Sequence, residues 1–227
     1  MWEQTIQQLN NKTVIGEEQM KKLRSQVNIL VVDDDVQGRL DESLRNCGYS
    51  NVTIMRDIER IPDVERFQLV LIDIHGIGTK LNANGQPLEF QGLSLAEEIK
   101  RMYPTKKVIV FSAALNQYAA NYILKTVVDG KFEKTPKIDA RNKVIDDCLR
   151  DTVNPKSTWV RFRRRLLDAD VPITEVMKLE DYYVRRINGH KDLNLDKMKG
   201  FIKNATACIE IVKELVAVAK FFGLIVA

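Results

Sequence analysis

The chain has 227 residues, of which 44% are hydrophobic and 29% charged, with a formal net charge of +4. That length suits one medium domain plus a smaller one, and the composition is that of an ordinary soluble protein. The central segment 27–150 is close to neutral, with 17 basic and 18 acidic side chains, so charge alone gives no reason to expect binding to nucleic acid or membrane. Cys47, Cys148 and Cys208 show no metal or redox spacing and read as reduced thiols of a cytosolic protein; the polar stretch from Met1 to Gln26 lacks the apolar core of a signal peptide.

Residues 1–26 read as a polar helical extension. Trp2, Ile6 and Leu9 fall at helical spacing, Gly16 interrupts, and Glu17 to Arg24 suits a second short helix. From Val27 strands and helices alternate. Val27 to Val32 has the length and β-branched composition of a fully buried parallel strand, and it runs into Asp33, Asp34 and Asp35. Asp35 suits the cap of a helix carrying Val36, Leu40 and Leu44, which Gly48 ends. Val52 to Met55 is a second strand. Residues 57–66 read as a weak helix, with Pro62 against its continuation. Phe67 to Ile74 is another buried strand and carries Asp73 near its end.

Asn84-Gly85 between short flanks then predicts a β-hairpin flap over 79–91. Ser94 to Glu97 reads as a capping box, opening a helix whose stripe is Leu93, Ala96, Ile99 and Met102 and which Pro104 stops. Lys107 to Phe111 is a strand leading to Ser112, Asn116 to Val128 a helix, and Gly130 to Glu133 a short strand leading to Lys134. Pro136 opens a last helix to about Arg150. The expected fold is α/β: a five-stranded, doubly wound parallel sheet of the flavodoxin-like kind over residues 27–152. Residues 153–227 lose the strand signals and read as a helical module. Pro155 and Pro172 mark helix starts there, and Gly189 and Gly200 mark breaks. Trp159, Phe162, Leu166 and Leu167 share a helix face beside Arg161 and Arg163 to Arg165.

Ligands of open parallel sheets bind at the carboxyl ends of the strands. Asp33, Asp34, Asp73, Ser112 and Lys134 converge at that edge. Adjacent carboxylates repel unless a cation sits among them, and a hard divalent ion such as Mg²⁺ takes oxygen ligands. An ionised carboxylate can then attack a phosphoryl group, with Lys134 and Ser112 available to its oxygens.

Val31-Val32-Asp33-Asp34-Asp35, Leu71-Ile72-Asp73, Phe111-Ser112-Ala113, and Lys134 followed by Pro136 resemble, in this order, the receiver domain of two-component response regulators. The resemblance implies that Asp73 is the phosphoacceptor. It implies that Asp33, Asp34, Asp73 and the backbone carbonyl of His75 hold Mg²⁺, that Ser112 is the switch hydroxyl and that Lys134 pairs with the phosphate. The donor would be a phosphohistidine on a sensor histidine kinase or phosphotransfer protein. Catalysis would be limited to self-phosphorylation and dephosphorylation.

The sequence departs from the family in the loop Ile74-His75-Gly76-Ile77-Gly78, which is followed by about a dozen extra residues before Gly92. Thr135 separates Lys134 from Pro136, and the aromatic switch position falls to Phe132 or Lys131. A receiver-like scaffold that works unphosphorylated is the competing reading. Residues 153–227 suit self-association or a protein partner. The arginine run reads as the solvated face of an amphipathic helix, and no recognition-helix pattern points to nucleic acid. Four charges in the apolar stretch 205–227 argue against membrane insertion.

Overall fold

The computed structural model describes residues 5–9, 15–35, 40–78, 91–118, 121–134, 137–189, 191–202 and 206–221. The 79–91 flap lies outside these apart from Gln91, as do Val36 and the Thr135-Pro136 pair. The chain divides into two compact units. One comprises residues 16–148; the other joins residues 1–15 to residues 149–227. The first boundary falls at Gly16, inside the 1–26 extension.

The 16–148 unit opens with helix α1 (Glu17–Gln26), which buries Met20 and Leu23. Arg24 of α1 donates from Nε to Asp146 Oδ1 at 3.0 Å, and the Tyr49 hydroxyl donates to the same oxygen at 2.8 Å. Strand β1 (Asn28–Val32) leads to α2 (Leu40–Asn46) and β2 (Asn51–Met55). The end of α2 explains Gly48. Gly48 N–H donates to the Arg45 carbonyl and Tyr49 N–H to the Leu44 carbonyl, the paired bonds of a Schellman motif, with φ of +92° at the glycine.

Strand β3 (Leu69–Asp73), helix α3 (Gln91–Met102), β4 (Lys107–Ser112), α4 (Tyr122–Thr126), β5 (Gly130–Glu133) and α5 (Ile138–Val153) follow. All five strands are parallel, in the order β2-β1-β3-β4-β5. This is the flavodoxin-like arrangement, and its central strands β3 and β4 are buried along their whole length.

Three local expectations give way. The helix expected over 57–66 is only a 3₁₀ turn at Ile61–Val64 with Pro62 in its first turn. Within it Ile61 and Val64 are buried three positions apart, the period of a 3₁₀ turn, and Ile58 and Phe67 are buried in the irregular backbone on either side. The capping box at Ser94 is absent because α3 already begins at Gln91 and Ser94 lies inside it; Met102, at the last turn, is exposed. The helix expected over 116–128 is divided into a 3₁₀ turn at Leu115–Tyr118 and the five-residue α4. The Asn121 side chain caps α4 by accepting from Ile123 N–H at 2.8 Å.

The second unit is helical: α6 (Pro155–Asp168), α7 (Ile173–Asn188), α8 (Leu195–Lys199) and α9 (Thr206–Phe221). Pro155 sits in the first turn of α6, and Gly189 and Gly200 end α7 and α8 as expected. Trp159, Phe162 and Leu166 are buried; Leu167, on the neighbouring face, is exposed. Within this unit Glu180 is buried. It accepts from Trp159 Nε1 at 2.8 Å and from Ile6 N–H at 2.9 Å, which fastens the 3₁₀ turn Ile6–Gln8 to α7.

The arginine run is less solvated than expected. Arg161 pairs with Asp151 at 2.7 Å, Arg165 with Glu214 at 2.7 Å and Arg163 with Glu180 at 3.7 Å, leaving Arg164 as its exposed member. Ile211, Val212, Leu215 and Val216 of α9 are buried. Among the described residues no helix is long and apolar enough to cross a membrane.

Candidate phosphoacceptor and metal site

The site forms because four parallel strands stop together. Asp33 follows β1, Asp73 closes β3, Ser112 closes β4 and Lys134 follows β5. Pairing continues past the strand ends and holds the register: Asp33 N–H donates to the Met55 carbonyl, Ile74 N–H to Phe111 and Lys134 N–H to Ser112, at 2.9–3.1 Å.

Asp33, Asp34 and Asp73 each present a carboxylate oxygen within 4.8 Å of the others. Asp33 and Asp73 are buried, and Asp34 is exposed. The Lys134 ammonium donates to Asp33 Oδ1 at 3.0 Å and to Asp73 Oδ2 at 2.9 Å. One cation thus serves two buried acids beside a third. Burial pushes the Asp33 carboxyl above its ordinary value, and Lys134 only partly opposes this. Burial works against the charge on Lys134 too, but Asp73 and Asp33 together outweigh it and hold the ammonium above its ordinary pKa. Three carboxyl groups meet one ammonium here, and the ligand atoms they offer are all hard oxygens, which fits a small divalent cation.

Ser112 is buried on the strand next to Asp73, one register step beyond the position facing it. Its hydroxyl accepts from Ala114 N–H at 3.2 Å. His75 is exposed in the loop after β3, and its N–H reaches Asp73 Oδ1 at 3.5 Å, a long contact. Of the two candidates for the aromatic switch position, Phe132 is a core residue stacked on Phe111 at 5.5 Å, while Lys131 is exposed. Asp35 donates its N–H to Asp33 Oδ1 at 3.1 Å; its predicted capping partners fall in 36–39, outside the described residues.

Two glycines support the site in ways the sequence did not reveal. A Cβ on Gly76 would lie 2.1 Å from Asp34 Oδ2, and the residue has φ of +73°. A Cβ on Gly92 would lie 1.9 Å from the Asp73 carbonyl oxygen, while Gly92 N–H donates to the Ile74 carbonyl at 3.1 Å. Backbone therefore lies directly against both Asp34 and Asp73, as only glycine permits.

Asp33 should cost stability once it is charged. Below the ordinary value of 3.8 both folded and unfolded chains carry its proton. As pH rises from 3.8 to the higher folded value, the unfolded chain loses its proton first and stability falls; above that window the deficit is constant. Without Mg²⁺, Asp33→Asn is therefore expected to stabilise the protein by about 1 kcal/mol near neutral pH and to lose that advantage in acid. Urea midpoints for both proteins from about pH 4 to pH 8 check this, and a gain that persists unchanged in acid contradicts it.

Three solved structures have a similar fold. The receiver domain of NtrX from Brucella abortus is 26% identical, with 54% of this chain and 98% of that chain covered and a TM-score of 0.43. A response regulator from Thermotoga maritima is 19% identical, over 54% and 97%, with a TM-score of 0.42. The chemotaxis response regulator CheY4 of Vibrio cholerae is 17% identical, over 54% and 98%, with a TM-score of 0.41. No family model and no curated protein matches the sequence. The fold assignment stands on the strand order and on the residues at the strand ends: over about half its length, this chain is similar to response-regulator receiver domains.

Proposed function

We propose that the chain is a cytosolic phosphoacceptor of two-component signalling, in which Asp73 takes a phosphoryl group from a phosphohistidine and the helical module of residues 153–227 carries the output. The donor is a sensor histidine kinase or phosphotransfer protein, and the output is a contact with a protein partner or a second copy. The observation that carries this reading is the single Lys134 ammonium shared by Asp33 and Asp73, with Asp34 beside them. A purely structural ion pair needs one acid, whereas phosphoryl transfer needs an ionised nucleophile and cations for the incoming oxygens.

In the reaction a carboxylate oxygen of Asp73 forms a bond to phosphorus as the phosphorus–nitrogen bond of phosphohistidine breaks. The bonding pair stays on the imidazole nitrogen. Lys134 is near enough to Asp73 to exchange a carboxylate oxygen for a phosphoryl oxygen, and the Ser112 hydroxyl donates to another. Asp33, Asp34 and Asp73, with the His75 carbonyl, would hold Mg²⁺, which supplies positive charge to the phosphoryl oxygens. Hydrolysis returns Asp73 to its carboxylate. The gain or loss of these contacts biases the strand ends between two arrangements.

The second reading, a scaffold that works unphosphorylated, draws on the burial of Phe132, the exposure of Lys131 and the shortness of α4. The ion pairs of Arg161, Arg163 and Arg165 count against a third role in DNA binding.

Intact-protein mass after incubation with acetyl phosphate and Mg²⁺ tests the first reading. Wild type is expected to gain one phosphoryl adduct, and Asp73→Asn, or wild type without Mg²⁺, none. An adduct that survives in Asp73→Asn assigns the chemistry elsewhere. A folded Asp73→Asn variant that keeps full biological function favours the scaffold.

A further inference from the structure

The loop Ile74–Gly78 is held at both ends. At its start, Ile74 N–H donates to Phe111 and the Ile74 carbonyl accepts from Gly92, both at 3.1 Å, and Ile74 and Ile77 are buried in the core. At its end, Gly78 N–H donates to Asp57 Oδ1 at 2.6 Å. That same oxygen accepts from Ile58 N–H at 2.8 Å, which fixes the Asp57 carboxylate to its own backbone. Between the two fixed points lie His75 and Gly76: the His75 N–H faces Asp73, and the Gly76 backbone lies against the Asp34 carboxylate. Asp57 comes two residues after β2, the strand on the far side of β1 from β3, so its side chain links the loop across the end of β1.

We infer that Asp57 is a positioning residue for the phosphoacceptor site: by holding the Gly78 N–H it fixes the two-glycine loop that lays His75 and Gly76 against Asp73 and Asp34. This rests on the phosphoacceptor reading. Gly78 has φ of +77° and Gly76 φ of +73°, so the backbone is permissive on both sides of the buried Ile77, and Asp57 adds a polar tether at Gly78 to that apolar anchor. A charged acceptor makes a stronger tether than a neutral one, in keeping with the short Gly78 bond. Loss of Asp57 frees the loop end, misplacing the His75 carbonyl and the backbone beneath Asp34, with no carboxylate removed from the cluster itself.

The test is Mg²⁺ titration of the full-length protein by calorimetry, for wild type, Asp57→Ala and Asp57→Asn. The alanine variant is expected to bind Mg²⁺ about tenfold more weakly, the scale of losing a group that orients metal ligands. The asparagine variant keeps an acceptor oxygen and is expected to recover most of that loss, which general destabilisation does not predict. Hydrogen exchange in the wild type is the second measurement and needs no variant: Mg²⁺ is expected to slow exchange at Gly78 together with Gly76. An Asp57→Ala affinity within twofold of wild type, or Gly78 exchange indifferent to Mg²⁺, overturns the role of Asp57 alone. A wild type that binds no Mg²⁺ overturns the phosphoacceptor reading itself.

Discussion

Lys134→Ala is expected to destabilise the strands around the acidic cluster by about 2 kcal/mol in the absence of Mg²⁺, and added Mg²⁺ is expected to restore most of the loss. Lys134 donates to Asp33 and Asp73, both buried, and no other basic side chain among the described residues is paired with either. Its removal leaves two buried carboxylates without their cation, and breaking such a pair costs more than forming it gains. The estimate is below that for a fully buried pair because the Lys134 side chain keeps 24% of its surface in solvent. A divalent cation bound by the folded state alone stabilises by mass action and supplies the missing positive charge. Native-state hydrogen exchange of β1, β3 and β4 reads this without interference from the helical unit. Equal destabilisation with and without Mg²⁺ would show that Lys134 is a structural strut and that the acids do not hold the ion. On the phosphoacceptor reading proposed above, the same variant is also expected to be phosphorylated far more slowly, since the phosphoryl oxygens would lose a charged donor.

Gly92→Ala is expected to have the largest effect on stability, about 3 kcal/mol. The new methyl would stand 1.9 Å from the Asp73 carbonyl oxygen and 2.8 Å from the Ile74 Cα, both of them backbone atoms of β3 and the loop after it. Neither can swing aside as a long side chain can, so α3 must move off the sheet or β3 must bend at the residue that carries the site. Leu93, Leu95, Ala96 and Ile99 are buried through that same helix and would be dragged with it. Gly76→Ala is a useful contrast, because there the clash is with the end of the Asp34 side chain and the backbone strain is local. Hydrogen exchange over β3 and α3 separates the two variants. Wild-type protection in Gly92→Ala would mean that the close approach of α3 to β3 is dispensable.

The sheet and the convergence of its polar ends were legible because parallel strands buried on both faces read as unbroken apolar runs, and the residue that ends each run must lie at one edge. Asp33, Asp73 and Ser112 come directly from that rule, whereas β5 buries only Phe132, and Lys134 was legible from the alternation of strands and helices instead. The turn at Ile61–Val64 was not legible, because apolar residues three apart, as Ile61 and Val64 are, fit one face of an α-helix as well as a 3₁₀ turn. Ser94 matched a capping box locally but lies inside α3, and the close approach of Gly92 to Asp73 is a tertiary contact with no local signature. Asp57 escaped notice for the same reason: its partner Gly78 is twenty-one residues away, and no spacing rule links an acid after one strand to a glycine after another.

The helical unit is assembled from both ends of the chain, since Ile6 reaches Glu180 and Gln8 accepts from Asn188. During synthesis the sheet of residues 16–148 is complete when its last strand and α5 have emerged, whereas the segment around Ile6 must wait for α7 before Glu180 can receive it. The order of translation therefore favours a sheet that folds before the helical unit closes, so a stalled or shortened product would display a finished acidic site alongside an unclosed module.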